Sequence, residues 1–274
     1  MLTGKIDRAV ELIRMAAPED GSPLEVAYSG GKDSDVILEL TREAGVNYRA
    51  IYKNTTIDPP YTRTHALEMG AEMIMPKKTF FQLVEERGYP WRLRRFCCEE
   101  LKEYKVLDKC IMGIRRSEST ARMLRYAEPT ECRFYGSKKE HVEAIYPLLD
   151  WTDQDVADFV KDRGIRCHRL YYDEDGRFHP ERRLGCIGCP MNRRRVEEFQ
   201  RYPQMLKAWI RAGQRYLDTH PDSLTAARYD NAVNWMAREL FYESQEEWES
   251  VQTSPFRKRA DWRGYMEYTF NIKL

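Results

Sequence analysis

The chain lacks several features that would fix its class at once. It contains no apolar run long enough to span a bilayer, so a membrane-embedded protein is not expected. It lacks a dominant charge: 45 Lys and Arg stand against 44 Asp and Glu, a formal +1. Net charge therefore argues against a protein that coats nucleic acid, although a local basic groove stays open. There is no internal repeat, no low-complexity tract and no Pro/Ser linker, so the parts of the chain are expected to share one core. The first residues, MLTGKIDRAVELIRMAAPEDG, are charged throughout and read as an amphipathic helix rather than a secretory signal, which makes cytoplasmic residence the expectation. The seven cysteines are an odd number, and without a signal a disulfide framework is not expected.

What is present is globular: 274 residues, 42% hydrophobic and 32% charged, enough for one sizeable domain with an appendage or two small domains. The stretch VAYSGGKDSDVILEL, 26–40, is the most informative. Leu24–Tyr28 reads as a buried strand, and Val36, Ile37, Leu40 and Ala44 recur at helical spacing. Between them lie Ser29, Gly30, Gly31, Lys32, Asp33 and Ser34. A strand turning sharply into a helix exposes unpaired amides, and glycines let an anion approach them. An ordinary turn needs the glycines but not Lys32 and Asp33.

Further on, strand-like and helix-like segments alternate. YRAIYKNTT (48–56), AEMIMPKK (71–78) and DKCIMGIRR (108–116) read as strands, while 62–69 and TFFQLVEERG (79–88) read as helices. Alternation of this kind predicts an α/β fold, a Rossmann-like parallel sheet with flanking helices. Ligands in such sheets sit outside the carboxyl ends of the strands, where the 29–34 turn and Gly113–Arg116 both fall. In PLLDWTDQDVADFVKDRGI, Thr152 is the expected N-cap, Asp155 completes a capping box and Gly164 closes the helix. From about Pro190 the texture is helical, with no strand-like run before YTFNIKL at the end. The expected division is 1–175, a nucleotide-binding α/β part, and 176–274, a Cys-x-x-Cys segment with a helical C-terminal extension packed on the same core.

Four cysteines stand out: the adjacent Cys97 and Cys98, and Cys186 and Cys189 in a C-x-x-C. Four soft thiolates suit zinc or an iron–sulfur cluster, and adjacent cysteines are awkward for a zinc knuckle. Arg92, Arg94, Arg95, Lys102, Arg182, Arg183 and Arg193–Arg195 crowd these positions in sequence. They fit compensation of an anionic cluster, a polyanion groove with Tyr89, Trp91 and Phe96 as stacking surfaces, or a solvated basic face. His168 and His179 are near enough to be substitute ligands, although satisfied or exposed histidines are the commoner case. The scattered Trp209, Trp235, Trp248 and Trp262 read as core, with a homo-oligomer interface as the other possibility.

SGGKDS, RRFCCEELK, MGIRRSESTAR, YPLLDWTDQDV and GCIGCP, in this order and rough spacing, resemble the ATP pyrophosphatase (PP-loop) superfamily that includes the adenylyl-sulfate and phosphoadenylyl-sulfate (PAPS) reductases. The resemblance covers roughly residues 26–190. It implies an adenine nucleotide held by Ser29, Gly30, Gly31, Lys32, Asp33 and Ser34, with Asp58, Gly113, Arg115 and Arg122 as further contacts. Lys32, Asp33, Arg115 and Arg116 carry the expected catalytic roles. Lys32 offers a point charge for phosphate oxygens, Asp33 a ligand for Mg²⁺, and the arginines bidentate recognition of phosphate or sulfate. The full loop, lysine included, points to ATP, with adenylyl sulfate or PAPS as the alternative ligand.

The Cys-Cys and C-x-x-C pattern resembles the [4Fe–4S] site of adenylyl-sulfate reductases, with Zn²⁺ as the alternative occupant of Cys97, Cys98, Cys186 and Cys189. The reductases' C-terminal Glu-Cys-Gly-Leu-type nucleophile has no counterpart after Cys189 in this sequence. The resemblance therefore implies the branch that adenylates an acceptor, with nucleic acid the expected class, for sulfur incorporation, as in DNA phosphorothioation or tRNA thiolation. A cysteine desulfurase is the expected sulfur donor. A sulfonucleotide reductase and a non-catalytic nucleotide- and cluster-binding subunit are the other readings.

Overall fold

The computed structural model describes residues 2–135, 140–241 and 262–274, and Trp248 lies outside them. Contacts group the chain into two compact units: residues 1–76 with 99–185, and 77–98 with 186–274.

The first unit is built on a six-stranded sheet. Its strands are β1 (Leu24–Tyr28), β2 (Tyr48–Lys53), β3 (Glu72–Ile74), β4 (Lys109–Ile111), β5 (Thr130–Tyr135) and β6 (Glu140–Ile145), in the order β3-β2-β1-β4-β6-β5. Every pairing is parallel except β5 with β6, where Glu131 faces Ala144 and Arg133 faces Val142. Leu24 and Val26 of β1 are fully buried, as expected of a central strand flanked on both sides. The chain proceeds outward from β1 through β2 to β3, then returns to place β4 on the other side of β1. The strand order thus reverses between β1 and β4, which opens a crevice at their carboxyl ends.

Helices α1 (Leu2–Ala16), α2 (Lys32–Ala44) and α7 (Asp153–Asp162) pack against one another; α3 (Thr62–Glu68) follows β2. In α2, Val36, Ile37, Leu38 and Leu40 are fully buried, each contributing about 1.5–3 kcal/mol. Gly45 ends this helix in the left-handed region at φ 69°. The capping box at Thr152 and Asp155 is present and starts α7.

Two features differ from the sequence expectation. The antiparallel pair β5–β6 was not anticipated, because its strands carry exposed, charged alternate positions, as at a sheet edge with one wet face. The YTFNIKL run is not a strand: Tyr268–Phe270 completes α12 (Trp262–Phe270), whose Trp262, Met266 and Phe270 are buried at helical spacing.

The second unit is helical: α4 (Phe80–Arg87), α8 (Arg195–Arg201), α9 (Pro203–Thr219), α10 (Leu224–Arg228), α11 (Ala232–Met236) and α12. The short helix α5 (Phe96–Leu101) spans the boundary between the units in sequence, and α6 (Thr120–Arg125) belongs to the first unit. Trp209, fully buried, lies 4.7 Å from Phe80 and 5.8 Å from Phe199 between ring centroids. Trp235 and Trp262 are buried too, so three of the four expected core tryptophans are core.

Candidate phosphate loop and thiol cluster

The loop is made by the junction of β1 and α2. Gly30 takes φ 76°, a left-handed backbone that only glycine adopts without strain. A Cβ at Gly30 would stand 2.7 Å from Thr62 Cγ2, so the position is closed to side chains for packing reasons as well. Gly31 is the N-cap of α2, and its carbonyl accepts from the amides of Ser34 and Asp35 at 2.9 and 3.0 Å and from the Ser34 hydroxyl at 2.6 Å. Ser29 Oγ accepts from the Gly31 amide at 3.4 Å. These bonds fix the curve of the loop at the mouth of the crevice.

Charge at the loop is arranged as a chain. Lys32 Nζ lies 3.0 Å from Asp33 Oδ2, and Arg115 Nε lies 2.7 Å from Asp33 Oδ1. Arg115 continues to Asp153 Oδ1 at 2.7 Å and to Ser117 Oγ at 3.1 Å. Both cations are almost wholly buried, so each needs a partner, and a single carboxylate serves both. Gly113 permits this arrangement: a Cβ there would stand 3.0 Å from the carbonyl carbon, carbonyl oxygen and Cβ of Asp33. The loops after β1 and β4 therefore meet at Gly113 and Asp33, across the reversal of strand order.

Two further arginines lie near. Arg122 pairs with Glu118, and Arg183 Nη2 lies 3.6 Å from the same carboxylate. Burial lowers the Arg122 pKa, and the neighbouring Arg183 and Arg115 lower it further, while Asp33 opposes them.

The other candidates are placed differently. Arg116 is occupied by the carbonyls of Tyr126 and Ala127 and by Asp150. Asp58 accepts from the Tyr52 hydroxyl at 2.8 Å and the Thr55 amide at 3.2 Å, fastening the turn after β2. His168 accepts from the Leu170 amide and donates Nε2–H to the Pro60 carbonyl, so it is a satisfied core histidine. His179 pairs with Asp173 and Glu181.

Sequence reasoning missed the residues behind the loop. Asp35, in the first turn of α2 and fully buried, accepts from the Tyr28 hydroxyl and lies 3.0 Å from His65 Nε2. Burial raises its pKa, and the hydrogen bond from His65 opposes that shift. Its position next to the SGGKDS run was the only available signal. Tyr171 was missed as well: its hydroxyl accepts from the amides of Lys32 and Leu184, and Lys32 Nζ lies 5.4 Å from its ring centroid. Nothing local in the sequence joins residue 171 to the loop. A separate cavity of about 1040 Å³ lies between α3, α7 and the segment that follows α7, with His65, Cys167 and His168 in its wall.

In the second unit, Cys97, Cys98, Cys186 and Cys189 come together. The Cys97 thiol hydrogen-bonds with Cys98, is largely buried and feels Cys186 and Cys189, all of which raise its pKa. Among the described residues, no group of three or more His, Cys, Asp or Glu is arranged to hold a metal ion. The donor set fits a thiolate-ligated group in kind, and ligation would require the thiols to deprotonate and close on the ion. The expected stacking surface is corrected: Tyr89 and Phe96 are buried, and of the three aromatics only Trp91 is exposed, at 51%.

The chain resembles known proteins across this region. It is 27% identical over 233 residues to an uncharacterized protein of Methanocaldococcus jannaschii, covering 77% of this chain and 46% of that one. It is 22% identical over 206 residues to adenosine 5'-phosphosulfate reductase of Staphylococcus saprophyticus, covering 69% and 79% respectively. The chain thus spans about half the length of the archaeal relative. Among solved structures, the U34-tRNA thiolase NcsA of Methanococcus maripaludis with its [4Fe–4S] cluster aligns at TM-score 0.41 and 16% identity, over 88% of this chain and 91% of that one. The profile of the phosphoadenosine phosphosulfate reductase domain matches residues 23–192, which contain the loop, the turn after β4 with Arg115 and Arg116, and Cys97, Cys98, Cys186 and Cys189. With well over half its length inside that match, the chain belongs to the phosphoadenosine phosphosulfate reductase domain family.

Proposed function

We propose that this protein is an ATP pyrophosphatase that adenylates an acceptor, with nucleic acid the expected class, so that sulfur can replace an oxygen. The observation that carries the reading is the Lys32–Asp33–Arg115 chain at the mouth of the crevice. Two buried cations share one carboxylate, and a polyphosphate entering the loop competes for both of them. Asp33 is then released to hold Mg²⁺, which favours one or two carboxylates together with phosphate oxygens. Lys32 and Arg122 supply positive charge to meet the charge that develops on the departing group.

The chemistry is a double displacement. An acceptor oxygen attacks the α-phosphorus of ATP, the α–β bond breaks, and pyrophosphate leaves into the loop. A persulfide supplied by a desulfurase then attacks the activated atom with its outer sulfur, and AMP departs with the oxygen. A thiol cleaves the resulting acceptor–carrier disulfide, leaving the sulfur on the acceptor and the thiol joined to the carrier as a disulfide. Cys97, Cys98, Cys186 and Cys189 would hold a [4Fe–4S] cluster, which supplies a fixed anionic centre of structural or electrostatic effect. Zn²⁺ is the alternative occupant.

The relationship to adenosine 5'-phosphosulfate reductases favours a second reading, reduction of a sulfonucleotide. That reaction needs an activated thiolate. Cys110 and Cys167 are buried, and burial pushes both thiols up, the opposite of activation. Cys132 is exposed on β5 and is the thiol left to this reading. The third reading, a binding subunit without turnover, predicts nucleotide binding alone.

The deciding assay supplies Mg-ATP, a desulfurase and candidate acceptors, and measures released pyrophosphate. The first reading predicts pyrophosphate, with turnover about 100-fold lower in Lys32→Ala and Asp33→Ala. Sulfite release from adenylyl sulfate without ATP would replace it by the second.

A further inference from the structure

Thr62 opens α3 and is 1% exposed, yet its hydroxyl oxygen is buried with no hydrogen-bond partner among the described residues. An unsatisfied buried hydroxyl is a standing cost to a fold, and a valine of nearly the same shape would avoid it. The residue lies directly against the phosphate loop: its Cγ2 is 2.7 Å, and its carbonyl oxygen 3.6 Å, from where a Cβ on Gly30 would stand. The other hydroxyls around the loop are employed. Ser34 donates to the Gly31 carbonyl, Ser29 Oγ accepts from the Gly31 amide, and Tyr171 accepts from two amides. Thr62 is the one of these four with nothing to bond.

Threonine in a helix divides between two χ1 rotamers, and a turn of about 120° carries one γ atom into another's place. Such a turn puts the Thr62 hydroxyl where its methyl group now meets Gly30. We propose that Thr62 is a further ligand-contacting residue, whose hydroxyl gains its missing partner from an oxygen of the phosphate chain held in the loop. This rests on the reading of that loop as a phosphate cradle. It assigns the first turn of α3 to the same site as β1–α2 and the turn after β4.

The test compares Thr62→Val and Thr62→Ser in the full chain. Binding of Mg-ATP and of inorganic pyrophosphate is measured by calorimetry, and melting temperature is measured without nucleotide. Thr62→Val is expected to weaken both ligands about 5- to 10-fold while melting no lower than wild type, because it loses only an unpaired hydroxyl. Thr62→Ser, which keeps the hydroxyl, is expected to stay within about twofold of wild type. Wild-type affinity in Thr62→Val overturns the proposal. A loss of affinity that comes with a lower melting temperature assigns Thr62 to packing and overturns it too. Absence of binding by the wild type is a distinct result, which removes the phosphate-cradle reading and the proposal with it.

Discussion

At the scale of single residues, the same loop shows two ways of burying charge. Asp33 is surrounded by cations, Lys32 and Arg115, and an incoming anion can take its place. Asp35, two positions on, is fully buried and held by Tyr28 and His65, so it shapes the start of α2. His168 is a third buried titratable group, and burial pushes its imidazole down to about 4 from an ordinary 6.5. Its folded pKa lies below the unfolded one, so its contribution to stability is present above pH 6.5 and is lost as the pH falls toward about 4. His168→Gln keeps a donor for the Pro60 carbonyl and takes up no proton. Urea unfolding of both proteins from pH 7.5 to 4 should show the wild type losing stability relative to the variant, by an amount of the order of 2 kcal/mol. Parallel pH profiles would show that His168 is protonated alike in both states.

At the scale of elements, the site depends on how closely the turn after β4 approaches α2. Gly113→Ala should therefore act at a distance from any ligand, because its methyl would meet the Asp33 backbone at 3.0 Å. We expect about 10-fold weaker nucleotide binding and a loss of about 1–3 kcal/mol in stability, with the far-UV circular dichroism unchanged. Full affinity in that variant would show that the approach is not needed.

Much of this element-level picture was legible. The apolar spacing of α2, the cap at Thr152 and the glycines of the first turn are local signals, and each matched its element. What escaped was non-local or weakly patterned. The β5–β6 pair carries wet alternate positions, and Tyr268–Phe270 of the YTFNIKL run ends a helix set by the buried Trp262, Met266 and Phe270. At the site, Lys32 and Asp33 were read from their motif. The partnership of Arg115 with both Asp33 and Asp153 needs three segments far apart in the chain, and so do the contacts of Tyr171 and Thr62 with the loop. Arg116 was indistinguishable from Arg115 in sequence, and only folding sends one to Asp33 and the other to the Tyr126 carbonyl.

At the scale of the whole molecule, the two units carry different chemistry. The first has the crevice and the candidate phosphate loop, and the second contains the four cysteines. The cluster proposal predicts that anaerobically purified protein contains about four iron and four sulfide per chain, and that Cys186→Ser lowers both by more than half. Zinc in place of iron would assign the site to a structural metal. The central claim, that the bend after β1 receives the phosphates of an adenine nucleotide, is tested most directly by calorimetric titration of the full chain with Mg-ATP. One saturable site is predicted, with affinity lost by at least about 100-fold in Lys32→Ala and unchanged in Arg116→Gln, whose guanidinium is engaged elsewhere. No binding, or binding indifferent to Lys32, would contradict the account.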